Sequence, residues 1–277
     1  PELVRGYDAA ACPSCAAWNA PHAPVRLFGN TWYVGTDGLT ALLITSDAGH
    51  VLIDGGLPNS APLILANIRA AGFRPEDVKV ILNSHEHWDH AGGIAALAEV
   101  TGARVMASAP AVPTLLRGLP GRDDPQHALS LPMPPVAAVE TVADGGVVRV
   151  GPLALTLHRT GGHTPGGSTW TWRSCEGARC LDIVYADSRT PISDDEFRFT
   201  DSKDYPTAIA DFRRGEALLE RLSCDLLVTP HPGASQLWQR VAAGPEALVD
   251  REACRRYAAA GRAALDARLK HEAAAKP

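Results

Sequence analysis

The chain has 277 residues, 45% of them hydrophobic, with a formal net charge of −5. That length and apolar content suit one layered α/β core, which at this size buries about 75% of the unfolded surface. The acidic balance and the lack of a basic run speak against a nucleic-acid surface, and no apolar stretch reaches the roughly 18 residues needed for a membrane span.

Taken in chain order, residues 1–28 read as a Pro- and Ala-rich N-terminal arm, and 29–277 as a single domain. No signal peptide is visible, and Pro1 in place of methionine points to a processed form whose export signal has been removed. Apolar runs and turn residues predict strands near 31–36, 40–46 and 50–54, a helix near 60–71, a strand at 78–83 and a helix near 91–99. A strand near 103–107 and a helix near 109–117 follow, and then a long Pro- and Asp-rich connection over 120–137. The second half offers strands near 146–150, 152–158, 168–174 and 181–186, a helix near 205–222, a strand at 225–229 and a helix near 247–270. Two halves of similar design, about 29–140 and 141–277, predict an α/β fold: an αββα sandwich of two packed mixed sheets with helices outside.

The chemistry concentrates in one decapeptide, Asn83-Ser84-His85-Glu86-His87-Trp88-Asp89-His90-Ala91-Gly92, which carries four potential metal ligands within six residues. The apolar run Val78 to Leu82 precedes it and a small-residue helical stretch follows, so the ligands belong on a loop at a strand's C-terminal end, where α/β folds put chemistry. Alternate side chains of an extended segment share a face, so His85 and His87 can grip one metal, while Asp89 and His90 diverge toward a second as the chain turns into the helix. A histidine-rich surface loop is the bland reading, and the ordered spacing between a strand and a Gly-Gly helix start speaks against it. Imidazole with one carboxylate suits zinc better than calcium or magnesium, although iron and manganese share such donors. Two more strand-end histidines offer themselves: His163 in the glycine-rich turn Gly161-Gly162-His163-Thr164-Pro165-Gly166-Gly167, and His231 after Leu226-Leu227-Val228-Thr229-Pro230.

The six cysteines fall in spaced pairs, which favours an oxidising compartment, periplasmic or secreted. Cys175 and Cys180 bracket a turn between two apparent strands and would staple a hairpin. Cys224 before a strand and Cys254 in the last helix would tie helix to sheet. Cys12 and Cys15 are open to three readings, a local disulfide, two free thiols or a weak metal site, of which the disulfide is favoured because no thioredoxin-like unit surrounds them.

With these motifs in order, the chain resembles the metallo-β-lactamase superfamily, and within it the class B metallo-β-lactamases of subclass B3. The likeness runs from about Gly29 to Arg268 and includes Thr31-Trp32-Tyr33-Val34-Gly35-Thr36, Val51-Leu52-Ile53-Asp54-Gly55-Gly56 and Tyr185-Ala186-Asp187-Ser188. It implies two Zn2+ per chain, the first held by His85, His87 and His163 and the second by Asp89, His90 and His231. It also implies hydrolysis of penicillins, cephalosporins and carbapenems by a metal-bound hydroxide that Asp89 orients, hence antibiotic resistance. Ser188 stands where other class B enzymes place a cysteine ligand. Ser188 and Thr190 are implied to bind the substrate carboxylate. Gln126 and His127 of the 120–137 connection, and Trp32, are expected to border the cleft, with packing or loop scaffolding as the other reading. The direction of Arg189 is open, an inward turn being one that would strengthen anion binding. A small-molecule β-lactam is the expected partner and a monomer the expected state.

The superfamily hosts rival chemistries. A thioester or lactone hydrolase would share the histidine motif and use an aspartate near Asp187 to bridge two metals. A mononuclear iron dioxygenase is the more distant alternative.

Overall fold

The computed structural model describes residues 6–275. Among the described residues, twelve strands form two sheets. The first sheet runs β1 (Val25–Phe28), β2 (Thr31–Tyr33), β3 (Leu42–Ile44), β4 (His50–Ile53), β5 (Val78–Leu82), β6 (Arg104–Ser108) and β7 (Val139–Val142), in that order. β1 to β4 are antiparallel neighbours, and β4 to β7 are parallel. The second sheet has the order β12-β11-β10-β9-β8, built from β8 (Val147–Val150), β9 (Leu153–Arg159), β10 (Ser168–Glu176), β11 (Arg179–Tyr185) and β12 (Leu226–Val228). Only its β11–β12 pair is parallel.

Side chains alternate across a strand, so each sheet feeds two cores. Val51, Ile53, Val80 and Leu82 of the first sheet meet Leu155, Leu157, Trp170, Ile183 and Tyr185 of the second in the central layer. Their neighbours Leu52 and Ile81 face outward onto Ile64 and Ile68 of α2 (Ala61–Ala70) and Leu97 of α4 (Ile94–Thr101). On the other outer face, Val184 and Leu227 pack on Leu219 of α6 (Ala208–Leu219) and on Ala258 of α8 (Ala253–Ala274). The layering is the αββα sandwich expected from the sequence.

Several boundaries differ from expectation. Residues 1–5 of the predicted arm lie outside the described residues. The rest of it contains α1 (Cys15–Trp18) and the edge strand β1, whose Leu27 and Phe28 enter the central core. β7 closes the first sheet just after the 120–137 connection. Only one of its four residues is buried, so its apolar pattern was too weak to read. The helix expected near 91–99 is split into α3 (Trp88–Ala91) and α4, and the last helix begins at Ala253 after a separate turn at Pro245–Leu248. All three cysteine pairs are disulfides: Cys12–Cys15, Cys175–Cys180 across the β10–β11 hairpin, and Cys224–Cys254 joining the β12 approach to α8.

No described helix is long and apolar enough to cross a membrane. The loops after β5, β9 and β12 open at one edge of the sandwich and carry the predicted ligands, and the loop after β11 carries Ser188 and Thr190 beside them.

Candidate metal centre

Asp54, at the end of β4, builds the platform beneath these loops. Its backbone adopts φ +66°, unusual for a residue with a side chain, and the fully buried carboxylate turns under the next strand. There it accepts the Ser84 backbone N–H (2.6 Å), the Ser84 hydroxyl (2.7 Å) and the Tyr185 hydroxyl (2.6 Å). Because the Ser84 proton is committed to Asp54, Ser84 Oγ can only accept from His85 Nδ1 at 3.2 Å. His85 Nε2 is then the lone-pair nitrogen. It is buried and has no hydrogen-bond partner among the described residues.

His163 follows the same rule, donating from Nδ1 to the Thr190 carbonyl at 2.8 Å and leaving Nε2 free to ligate. His87 reverses it, with Nε2 lying 3.1 and 3.2 Å from the two oxygens of Asp124. Donor atoms of His85, His87 and His163 all lie within 4.8 Å of one another, and so do those of His85, Asp89 and His90. His231 joins the latter group: its Nε2 lies 3.3 Å from both Asp89 Oδ2 and His90 Nε2, while its Nδ1 is 3.2 Å from the Gly38 carbonyl. The six predicted ligands are therefore brought together from three loops, with His85 central to both groups.

Burial drives two of the imidazoles neutral, His85 well below its ordinary range and His163 down to about 3. Burial acts the same way on His87, but the Asp124 carboxylate outweighs it and lifts that ring to about 9. Burial would raise Asp89, yet His90 and His231 hold it well below the usual carboxylate range. The neutral rings of His85 and His163, the ionised Asp89 and an orphaned ring nitrogen form a donor set that fits zinc, with His87 giving up a proton when it ligates.

Two residues that sequence reasoning passed over lock the loops together. Glu86, between the two histidines of the motif, points away from the centre. It accepts the Thr164 hydroxyl (2.8 Å) and the Gly166 N–H (2.9 Å), tying the decapeptide to the His163 turn. Gly166 is required there, since a Cβ would meet the Glu86 carboxylate at 2.5 Å. Asp124 is the other, within a connection whose composition suggested only turns.

Beside the donors opens a cleft of about 580 Å3, walled by Ser188, Thr190, Gln126 and the exposed apolar Leu129 and Ile192. Trp18 and Trp88 also line it, with ring centres 6.1 Å apart. Trp88 could have been suspected from its place inside the motif. Two expected cleft residues lie elsewhere. Trp32 projects from β2 into the outer layer and packs edge-on against Phe73 at 5.6 Å, because its strand position faces away from the partner sheet. His127 turns toward a smaller polar cavity with Arg122, Arg198 and Asp201.

Arg189 does turn inward, but not to strengthen anion binding in the cleft. Its guanidinium donates to the carbonyls of Thr160, Gly161 and Phe212 and lies 4.0 Å from Glu216. Asp187 stands 3.0 Å from His85 Nδ1 and belongs to neither donor group.

The sequence profile of the metallo-beta-lactamase superfamily matches residues 34–238. Among solved structures, the chain is similar to the Rm3 metallo-beta-lactamase at 55% identity, covering 94% of this chain and 98% of that one with a TM-score of 0.93. It is similar at 49% identity to MEM-A1, a subclass B3 metallo-beta-lactamase isolated from a soil metagenome library, covering 94% of this chain and 100% of that one with a TM-score of 0.91. A hydroxyacylglutathione hydrolase of Anaeromyxobacter dehalogenans is 31% identical over 157 residues, 52% of this chain and 51% of that protein, so the match spans about half the relative's length.

Proposed function

The chain belongs to the metallo-beta-lactamase superfamily, with subclass B3 enzymes as structural neighbours, and from that premise we propose that it is a dizinc hydrolase opening the β-lactam ring of penicillins, cephalosporins and carbapenems. The observation that carries this reading is the convergence of two donor groups on one cleft, with His85 Nε2 buried and unpartnered among the described residues where they meet. His85, His87 and His163 would hold one zinc and Asp89, His90 and His231 the other. When bound, the two ions supply Lewis acidity and bring the pKa of water from 15.7 to about 7.

The protein's own side chains do the rest. Asp89, ionised beside His90 and His231, accepts a hydrogen bond from the attacking water and points its lone pair at the ring carbonyl. Ser188 and Thr190 present hydroxyls from one cleft wall to the substrate carboxylate. Gln126 borders the donor groups, its amide 3.5 Å from His163 Nε2. Leu129, Ile192, Trp18 and Trp88 cover the apolar parts of the substrate and exclude bulk water. Ser84 is no nucleophile, since its hydroxyl is buried and given to Asp54.

The position of Asp187 favours this reading over a thioester or lactone hydrolase with a bridging aspartate, because its carboxylate sits behind His85 Nδ1. The second donor group likewise favours two ions over a single iron. Three disulfides support a periplasmic or secreted location, and a monomer acting in antibiotic resistance fits the reading.

The test is hydrolysis of nitrocefin, a carbapenem, a thioester and a lactone side by side by the zinc-loaded protein. The two β-lactams should be the preferred substrates, chelation should abolish turnover and zinc should restore it. A dominant thioesterase, or full activity in metal-free protein, would refute the assignment.

A further inference from the structure

The His87 ring is turned the opposite way from its partners, and the cause lies outside the ligand motifs. A carboxylate can only accept, so the 3.1 and 3.2 Å contacts from Asp124 place the single proton of a neutral His87 on Nε2. Nδ1 then carries the lone pair and is the only nitrogen of that ring able to ligate. Asp124 is built to stay there. It is 2% exposed, its Oδ1 also accepts the Gln126 N–H at 2.8 Å, and its own N–H reaches the Gly121 carbonyl at 3.1 Å. Asp194 braces the same segment: its N–H donates to the Pro125 carbonyl and its carboxylate accepts the Ala128 N–H, both at 2.8 Å.

We infer that Asp124 is a positioning residue for metal binding: it sets the tautomer and angle of His87, so that the 120–137 connection controls occupancy of the first ion and not of the second. This rests on the zinc reading above. Among the described residues Asp89, His90 and His231 share no hydrogen bond or ion pair with Asp124, so the effect should be confined to one ion. A carboxylate that only glued a loop to the surface would lower stability without choosing between the ions.

The test is zinc titration against a chromophoric chelator on wild type, Asp124→Asn and Asp124→Ala. Wild type should take up two ions. Asp124→Ala should bind one of them about 10–100-fold more weakly and the other unchanged. Asp124→Asn keeps an acceptor facing Nε2 and should fall between, which also preserves the test if the alanine variant folds poorly. Cobalt(II) substitution gives a second readout, a change in the visible spectrum of the first ion alone. Unchanged affinity at both positions in both variants, or equal loss at both, overturns the inference while leaving the zinc reading intact. A wild-type protein that takes up no zinc overturns the zinc reading itself.

Discussion

The two donor groups share His85 but differ in how firmly the protein holds them. In the first, His85, His87 and His163 are at most 6% exposed, and each non-ligating nitrogen has an anchor in Ser84, Asp124 or Thr190. In the second, the His231 side chain is 35% exposed, with a single 3.2 Å contact to the Gly38 carbonyl, and His90 Nδ1 has no hydrogen-bond partner among the described residues. Enclosure and anchoring fix a ligand before the metal arrives, so less ordering entropy opposes binding. The first group is a rigid seat, and the second a more pliable one that faces the substrate cleft.

The comparison breaks or holds most clearly on ligand removal. His163→Ala should lower kcat/KM by on the order of 10³, equivalent to several kcal/mol of lost transition-state stabilisation, and His231→Ala by about 10². Parallel kinetics on a carbapenem would read the difference. Equal losses, or a larger loss for His231→Ala, would show that anchoring does not rank the two seats.

Metal removal probes the same contrast with a smaller effect. Stepwise dialysis against a chelator should take the ion from the second group first, giving a plateau at one zinc per chain. About tenfold in affinity would separate the steps, measured by atomic absorption on each fraction. Loss of both ions in a single step would erase the distinction.

The legible and illegible parts of this molecule divide along physical lines. The apolar runs of β4, β5 and β11 announced themselves because both faces of these strands are covered, and β9 did so by alternation, with Leu153, Leu155 and Leu157 buried between half-buried Ala154, Thr156 and His158. The ligand decapeptide was readable because four donors stand within six residues, where spacing alone constrains geometry. Asp124 was not, because its role depends on a contact across 37 positions from a segment with no period. Glu86 looked like a spacer between histidines, and only the fold reveals that its side chain crosses to the His163 turn. The edge strands β1 and β7 were missed for a related reason: half-exposed strands of four residues carry little apolar signal. Trp32 failed in the opposite direction, since an aromatic in a strand is as well suited to an outer layer as to a cleft wall.

The smallest effect tests anchoring where no ligand is involved. Glu272, near the end of α8, accepts the N–H groups of Phe199 and Thr200, the Thr200 hydroxyl and the Arg268 guanidinium at 2.7 to 3.1 Å, pinning the segment that follows the cleft wall. Burial works against its charge, yet the bonds from Arg268, Thr200 and Phe199 hold the carboxyl below its ordinary value of 4.5. A depressed folded value means that the unfolded chain binds the proton more readily, so the stabilisation is complete above pH 4.5 and fades as pH falls through the folded value. Glu272→Gln should therefore cost about 1–2 kcal/mol at pH 7 in denaturant unfolding, and the gap from wild type should narrow as pH falls below the ordinary value of 4.5 and through the folded one. Affinity for both ions should be unchanged. A variant that loses the second ion would place the pliability of that group in the 197–200 segment and not in the exposed ring of His231.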